Sequence, residues 1–140
     1  MGLLERVSRG VTTNHAETAP TAEDRRLRGR TYAISFDRVW NAACAQIEEG
    51  WGWQLLEADD QAGSIGATAT TLIFRWVDDV SLQVTLDANA QTRVDMTSRS
   101  RKGKGDLGTN LRRIDRFMRR LDRNLDARPE EILDALDPTR

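Results

Sequence analysis

No proline falls between residues 30 and 126. The three in the chain, Pro20, Pro129 and Pro138, all lie outside that stretch. Proline removes a backbone donor and interrupts helix and sheet interiors, so its absence brackets an unbroken folding unit. A single cysteine, Cys44, excludes an internal disulfide and leaves the redox compartment unmarked. The only histidine, His15, gives it one companion, which argues against a zinc site or a Cys–His nucleophile pair. No metal and no cofactor are expected. No run approaches the roughly 18 apolar residues of a membrane span. The first residues, Met1-Gly-Leu-Leu-Glu-Arg6, lack the apolar core of a signal peptide, and Arg6 stands where a myristoylation signal has Ser or Thr. A cytoplasmic protein is expected. A net charge of −1 removes any bulk electrostatic case for nucleic acid or anionic membrane.

What is present is ordinary for a globular chain: 140 residues, 39% hydrophobic and 31% charged. Leu3, Leu4, Val7 and Val11 recur at helical spacing and Gly10 ends the pattern. Residues 12–26 are polar and aperiodic. Residues 1–29 therefore read as a short helix and a flexible arm, 30–126 as a single α+β domain, and 127–140 as a short helix and tail. In that tail Pro129 suits a first helical turn, with Ile132, Leu133 and Leu136 as the apolar side.

Within the domain, Tyr32, Ile34 and Phe36 alternate with polar or small residues, a strand signature. Asp37 can cap a helix carrying Val39, Trp40, Ala43, Cys44 and Ile47 on one face, stopped by Gly50. Trp53 to Leu56 begins the next strand, and Ile65, Ala67 and Ala69 line another. The apolar parity then slips at Thr70-Thr71, after which Leu72, Phe74 and Trp76 are the apolar positions, so a bulge or short break is expected. Val80–Leu86 and Thr92–Ser98 form a hairpin whose apolar faces match only if partners sum to about 178. That register sets Val84 by Val94, Leu82 by Met96, Asp79 by Arg99 and Asp78 by Ser100. Leu107, Leu111, Ile114, Met118, Leu121 and Leu125 make the seam of a long last helix, widened by Phe117. One antiparallel sheet of about five strands, packed by an early helix and this long one, is the layer solution for that order.

Three blocks carry a likeness: Phe74-Arg-Trp-Val-Asp-Asp-Val80, Val94-Asp-Met-Thr-Ser-Arg-Ser-Arg101, and Gly103-Lys-Gly-Asp-Leu-Gly-Thr-Asn110 with Arg113, Ile114 and Phe117. With Arg30-Thr-Tyr32, Val39-Trp40 and Trp53 they resemble the bacterial and plastid family known as domain of unknown function 1499, over residues 28–125. Lys102 stands where that resemblance leads one to expect a small apolar residue. The resemblance implies a fold and a site position, not a reaction. The element order is also similar to helix-grip domains, whose last helix covers a curved sheet and often a ligand cavity, an analogy at fold level.

Four candidate sites follow. Arg99, Arg101, Lys102, Gly103, Lys104, Gly105 and Asp106 gather cations and glycines before a helix N-terminus, a setting that favours an anion; a tight structural turn capped by Asp106 is the plainer reading. Asp78 and Asp79 could serve as paired carboxylates, yet the register sets them beside Arg99 and Arg101, which favours a structural ion-pair cluster. Trp40, Trp53, Phe74 and Trp76, with Trp51, could line a pocket, although large aromatics are more often core. Six arginines from Arg112 to Arg123 could track phosphates, but Asp115, Asp122 and Asp126 interleave with them and favour a solvated face.

The sequence favours a non-catalytic binding or interaction module, an accessory subunit docking on a protein partner through residues 1–29. A helix-grip pocket for a small hydrophobic ligand is the alternative. An anion-binding or enzymatic site at the glycine loop comes third, and nucleic acid is not expected as a partner.

Overall fold

The computed structural model describes residues 15–101, 107–134 and 136. Among them the chain is an α+β domain with two helices and one seven-stranded antiparallel sheet. In chain order these are β1 (His15–Glu17), β2 (Arg30–Tyr32), α1 (Phe36–Glu49), β3 (Trp53–Asp59), β4 (Ser64–Thr70), β5 (Val77–Leu86), β6 (Thr92–Ser100), α2 (Leu107–Asn124) and β7 (Ile132–Leu133). The sheet runs β3-β4-β5-β6-β2-β7, and β1 pairs with β6 as well.

The central hairpin has the register its apolar alternation demands. Val84 faces Val94, Leu82 faces Met96, Asp79 faces Arg99 and Asp78 faces Ser100. Val80, Leu82, Val84, Val94 and Met96 turn inward beside Ile65, Ala67 and Ala69 of β4. Ile114, Phe117, Met118 and Leu121 close on them from the last helix, Leu125 from the turn after it, and Val39, Trp40, Ala43 and Ile47 from α1. Period two on the sheet and period 3.6 on the helices thus meet in one core.

Ser35, not Asp37, caps α1: its Oγ accepts from the Arg38 N–H, while Asp37 lies in the first turn, where a carboxylate suits the dipole. The parity slip is a break in the chain's pairing. β4 stops at Thr70 and β5 starts at Val77, with a closed turn between them. The sheet's register shift sits elsewhere, on β3 between Leu55 and Glu57.

Two segments depart from the sequence reading. Residues 15–29 do not form a free arm: β1 pairs its three residues with Thr97–Arg99, Ala16 is wholly buried and Leu27 nearly so. The reason is the open flank of β6. β2 covers only Thr92–Val94 there, so the rest of that flank needs main-chain partners, which side-chain periodicity cannot reveal. Likewise the tail carries a 3₁₀ turn at Pro129–Glu131 and then β7 on Thr31 and Tyr32, not a helix. A single helical turn cannot nucleate against a sheet edge that offers ready hydrogen bonds. The proposed helix over residues 1–10 lies outside the described residues.

Candidate functional site

The end of the sheet nearest α2 is built from two corners. At the first, Gly52 has φ +79° and its carbonyl accepts the Thr70 N–H at 2.8 Å. A Cβ there would sit 2.9 Å from the Thr70 oxygen, so only glycine fits, and the tight corner throws the preceding Trp51 outward, 65% exposed. At the second corner, the turn after β4 puts Leu72 beside it. Trp53, starting β3, packs on Phe117 of α2 with ring centroids 5.5 Å apart. Between these groups and α2 lies an open cleft of about 390 Å³.

Its other wall is cationic. Arg113, Arg116 and Arg120 of α2 line it at steps of three and four, one stripe along the helix. Arg113 is the buried member. Its Nη1 lies 2.7 Å from the Asp78 carboxylate and donates to Ser98 Oγ and Asn110 Oδ1, each at 3.1 Å. Ser98 Oγ donates to Asn110 Oδ1, and the Asn110 amide donates to Ser100 Oγ. No buried side-chain polar atom among the described residues is left without a partner. Burial pushes the Arg113 guanidinium down from its ordinary pKa, the Asp78 charge opposes this, and nearby Arg116 adds to it. Arg116 and Arg120 are exposed and have no ion-pair partner among the described residues. Gln46, also at the cleft, is fixed by donating to the Phe117 carbonyl and accepting from the Asn124 amide.

The sequence candidates are distributed differently from the expected clusters. Asp78 and Asp79 face opposite sides of β5. Asp78 is buried against Arg113, while Asp79 is exposed and held by Arg101 at 2.9 Å. Arg99 does not join them; its guanidinium contacts the His15 ring at 3.2 Å. Two separate pairs therefore replace the four-residue cluster, and the two carboxylates never meet as an acid–base pair. Lys102, Gly103, Lys104, Gly105 and Asp106 lie outside the described residues. Of the four pocket aromatics, only Trp53 lines the cleft. Trp40 is core, stacked on Phe36, and Phe74 and Trp76 stack on each other at the exposed turn.

Arg113 is the residue the sequence reading missed, having been placed on a solvated basic face. Its signal was present: it sits one position before Ile114, at the edge of the apolar seam, where a buried carboxylate can reach it. The rest of that face is solvated as expected, with Arg119 on Asp115 at i,i+4, whereas Asp122 turns to Arg30.

Among the described residues no group of three His, Cys, Asp or Glu could hold a metal, and no helix is long and apolar enough to cross a membrane. Burial, with Glu48 adding to it, pushes the Cys44 thiol up, away from the thiolate form a nucleophile needs.

Fold and site together define a one-sheet α+β domain with a cleft walled by aromatics on one side and guanidiniums on the other. The chain belongs to the family described as "Protein of unknown function (DUF1499)", whose model matches residues 8–121. No curated protein and no solved structure matches it at a significant level.

Proposed function

We propose that this is a non-catalytic binding domain whose cleft holds a small amphipathic anion, its apolar body against Trp51, Trp53, Leu72 and Phe117 and its acidic head at Arg116 and Arg120. One observation carries the reading. Two guanidiniums without an ion-pair partner among the described residues share the cleft with an aromatic wall, whereas the neighbouring Arg113 is fully engaged by Asp78 and its network. A cleft of 390 Å³ suits a ligand of modest size. Unpaired arginines next to apolar surface gain most from a carboxylate or phosphate that also brings a chain or ring.

The test is titration calorimetry of the full chain with decyl phosphate below its micelle concentration, beside decanol and inorganic phosphate. Decyl phosphate should bind about tenfold or more tightly than either half-ligand, since each supplies only one of the two contacts. Arg116→Glu with Arg120→Glu should abolish that preference. Equal affinity for decyl phosphate and decanol, or an unchanged preference in the double variant, would refute the cationic half of the reading.

A further inference from the structure

The turn between β4 and β5 is unlike the rest of the surface. Leu72 is 68% exposed, Ile73 80%, Phe74 68% and Trp76 41%, four large apolar side chains in five positions. Trp51, at the neighbouring Gly52 corner, extends the same apolar end of the molecule. A contiguous exposed set of this kind marks a contact surface.

We propose that this turn inserts into the surface of an anionic lipid bilayer. Three observations favour lipid over a protein groove. The turn closes on itself: the Thr71 N–H donates to the Trp76 carbonyl at 2.8 Å, and the Trp76 N–H to Thr71 Oγ1 at 2.9 Å. Those donors therefore need no partner from outside when water is withdrawn, which a bilayer interface demands. The composition is interfacial, with stacked Phe74 and Trp76 at a centroid distance of 4.9 Å, aliphatic Leu72 and Ile73, and Arg75 among them. Charge is complementary as well. Residues 61–77 contain no Asp or Glu, and Arg116 and Arg120 stand in the cleft that Leu72 lines. Against these three guanidiniums, Glu48 and Glu49 precede Trp51 at the end of α1. The local field is therefore attractive to anionic headgroups, although the whole chain is slightly acidic.

Ile73, Phe74 and Trp76 do not line the cleft, so the inserted side chains differ from those of the ligand reading, while Leu72, Arg116 and Arg120 belong to both. The full chain is sedimented with vesicles of phosphatidylcholine alone or of phosphatidylcholine containing phosphatidylglycerol, at low and high salt. Binding is expected to the phosphatidylglycerol vesicles, to weaken with salt, and to fall by about tenfold or more in Ile73→Ser/Phe74→Ser, which removes two large apolar side chains from the contact. Both positions are exposed, so that variant should keep the wild-type circular dichroism. Decyl phosphate titration of the same variant separates the two readings, because cleft binding should survive. Wild-type protein that stays in the supernatant with both vesicles would overturn the proposal. So would a double-serine variant that sediments like wild type, or a wild-type dimer in analytical ultracentrifugation that the variant converts to monomer, which would make a second copy the occupant.

Discussion

Asp78 of β5 and Arg113 of α2 meet at 2.7 Å, and with side chains 4% and 8% exposed they form a buried ion pair that ties the last helix to the sheet. Removing one partner leaves the other charge in a low-dielectric site, which commonly costs about 3–5 kcal/mol. Asp78→Ala should therefore lower the stability measured by urea unfolding by about that amount. Asp78→Leu combined with Arg113→Met should recover most of the loss, because neither charge is then stranded. A single variant as stable as wild type would show that the pair contributes nothing to the fold.

Tyr32 donates its phenolic proton to Asp122 at 2.6 Å, and Arg30 holds the same carboxylate at 2.9 Å. Burial first, then the hydrogen bond to Asp122 and its charge, raise the Tyr32 pKa well above its ordinary value of 10.0. The folded chain thus keeps a proton that the unfolded chain releases. The resulting stability is complete below about pH 10 and declines as pH rises beyond it. Tyr32→Phe should lose roughly 1.5–3 kcal/mol at neutral pH, the usual worth of a hydrogen bond to a charged group. The same variant should flatten the alkaline decline, read from unfolding curves at stepped pH.

Ala16 is wholly buried where β1 meets β6, and Thr18 adds a hydroxyl bond to Asp95 at 2.7 Å. Ala16→Glu forces a carboxylate into that contact and should lower the melting temperature by several degrees or more. Leu27→Ala, which empties a core position of the same segment, should cost about 2–4 kcal/mol. Thermal melts of both, unchanged from wild type, would return this segment to the status of a free arm.

Gly63 has φ +72°, and a Cβ on it would lie 2.1 Å from the Val84 oxygen. Its carbonyl accepts the Val84 N–H at 2.7 Å, closing the β3–β4 turn onto β5. Gly63→Ala should lose roughly 2–3 kcal/mol, combining the left-handed penalty with the disturbed hydrogen bond. Chemical unfolding of this variant measures it.

The central hairpin was readable to the residue because one face of each strand is apolar, and a one-position slip would expose every such side chain. Leu82, Val84, Val94 and Met96 therefore fix register from sequence alone. The helix seam was readable for the same reason. β1 and β7 were not, since His15–Glu17 and Ile132–Leu133 owe their state to main-chain groups that other strands leave open. The site was half legible. Asp78 and the arginine-rich helix are both legible, but the register points to partners on the adjacent strand, at Arg99 and Arg101, and not to the helix layer. Side-chain pairing between sheet and helix depends on how the layers cross, and periodicity within each layer does not carry that information. Trp51 and Trp53 were readable as aromatics, whereas the Gly52 corner that turns one out and the other in needed coordinates.

The shared flank of β6, taken by β1 at one end and β2 at the other, sets a timetable for synthesis. His15 pairs with Arg99 across 84 residues, so β1 waits until β6 has left the ribosome, and β2 gains its second neighbour only when Leu133 has emerged. Contacts of such long sequence separation slow folding, and they leave β1 and β2 unpaired in every nascent chain too short to present β6. Once closed, they work in the opposite sense. The Thr18 amide, bonded to the Met96 carbonyl at 3.0 Å, can exchange with solvent only when strands from opposite parts of the chain separate. A segment that looks peripheral in sequence thereby becomes a gauge of whole-domain opening.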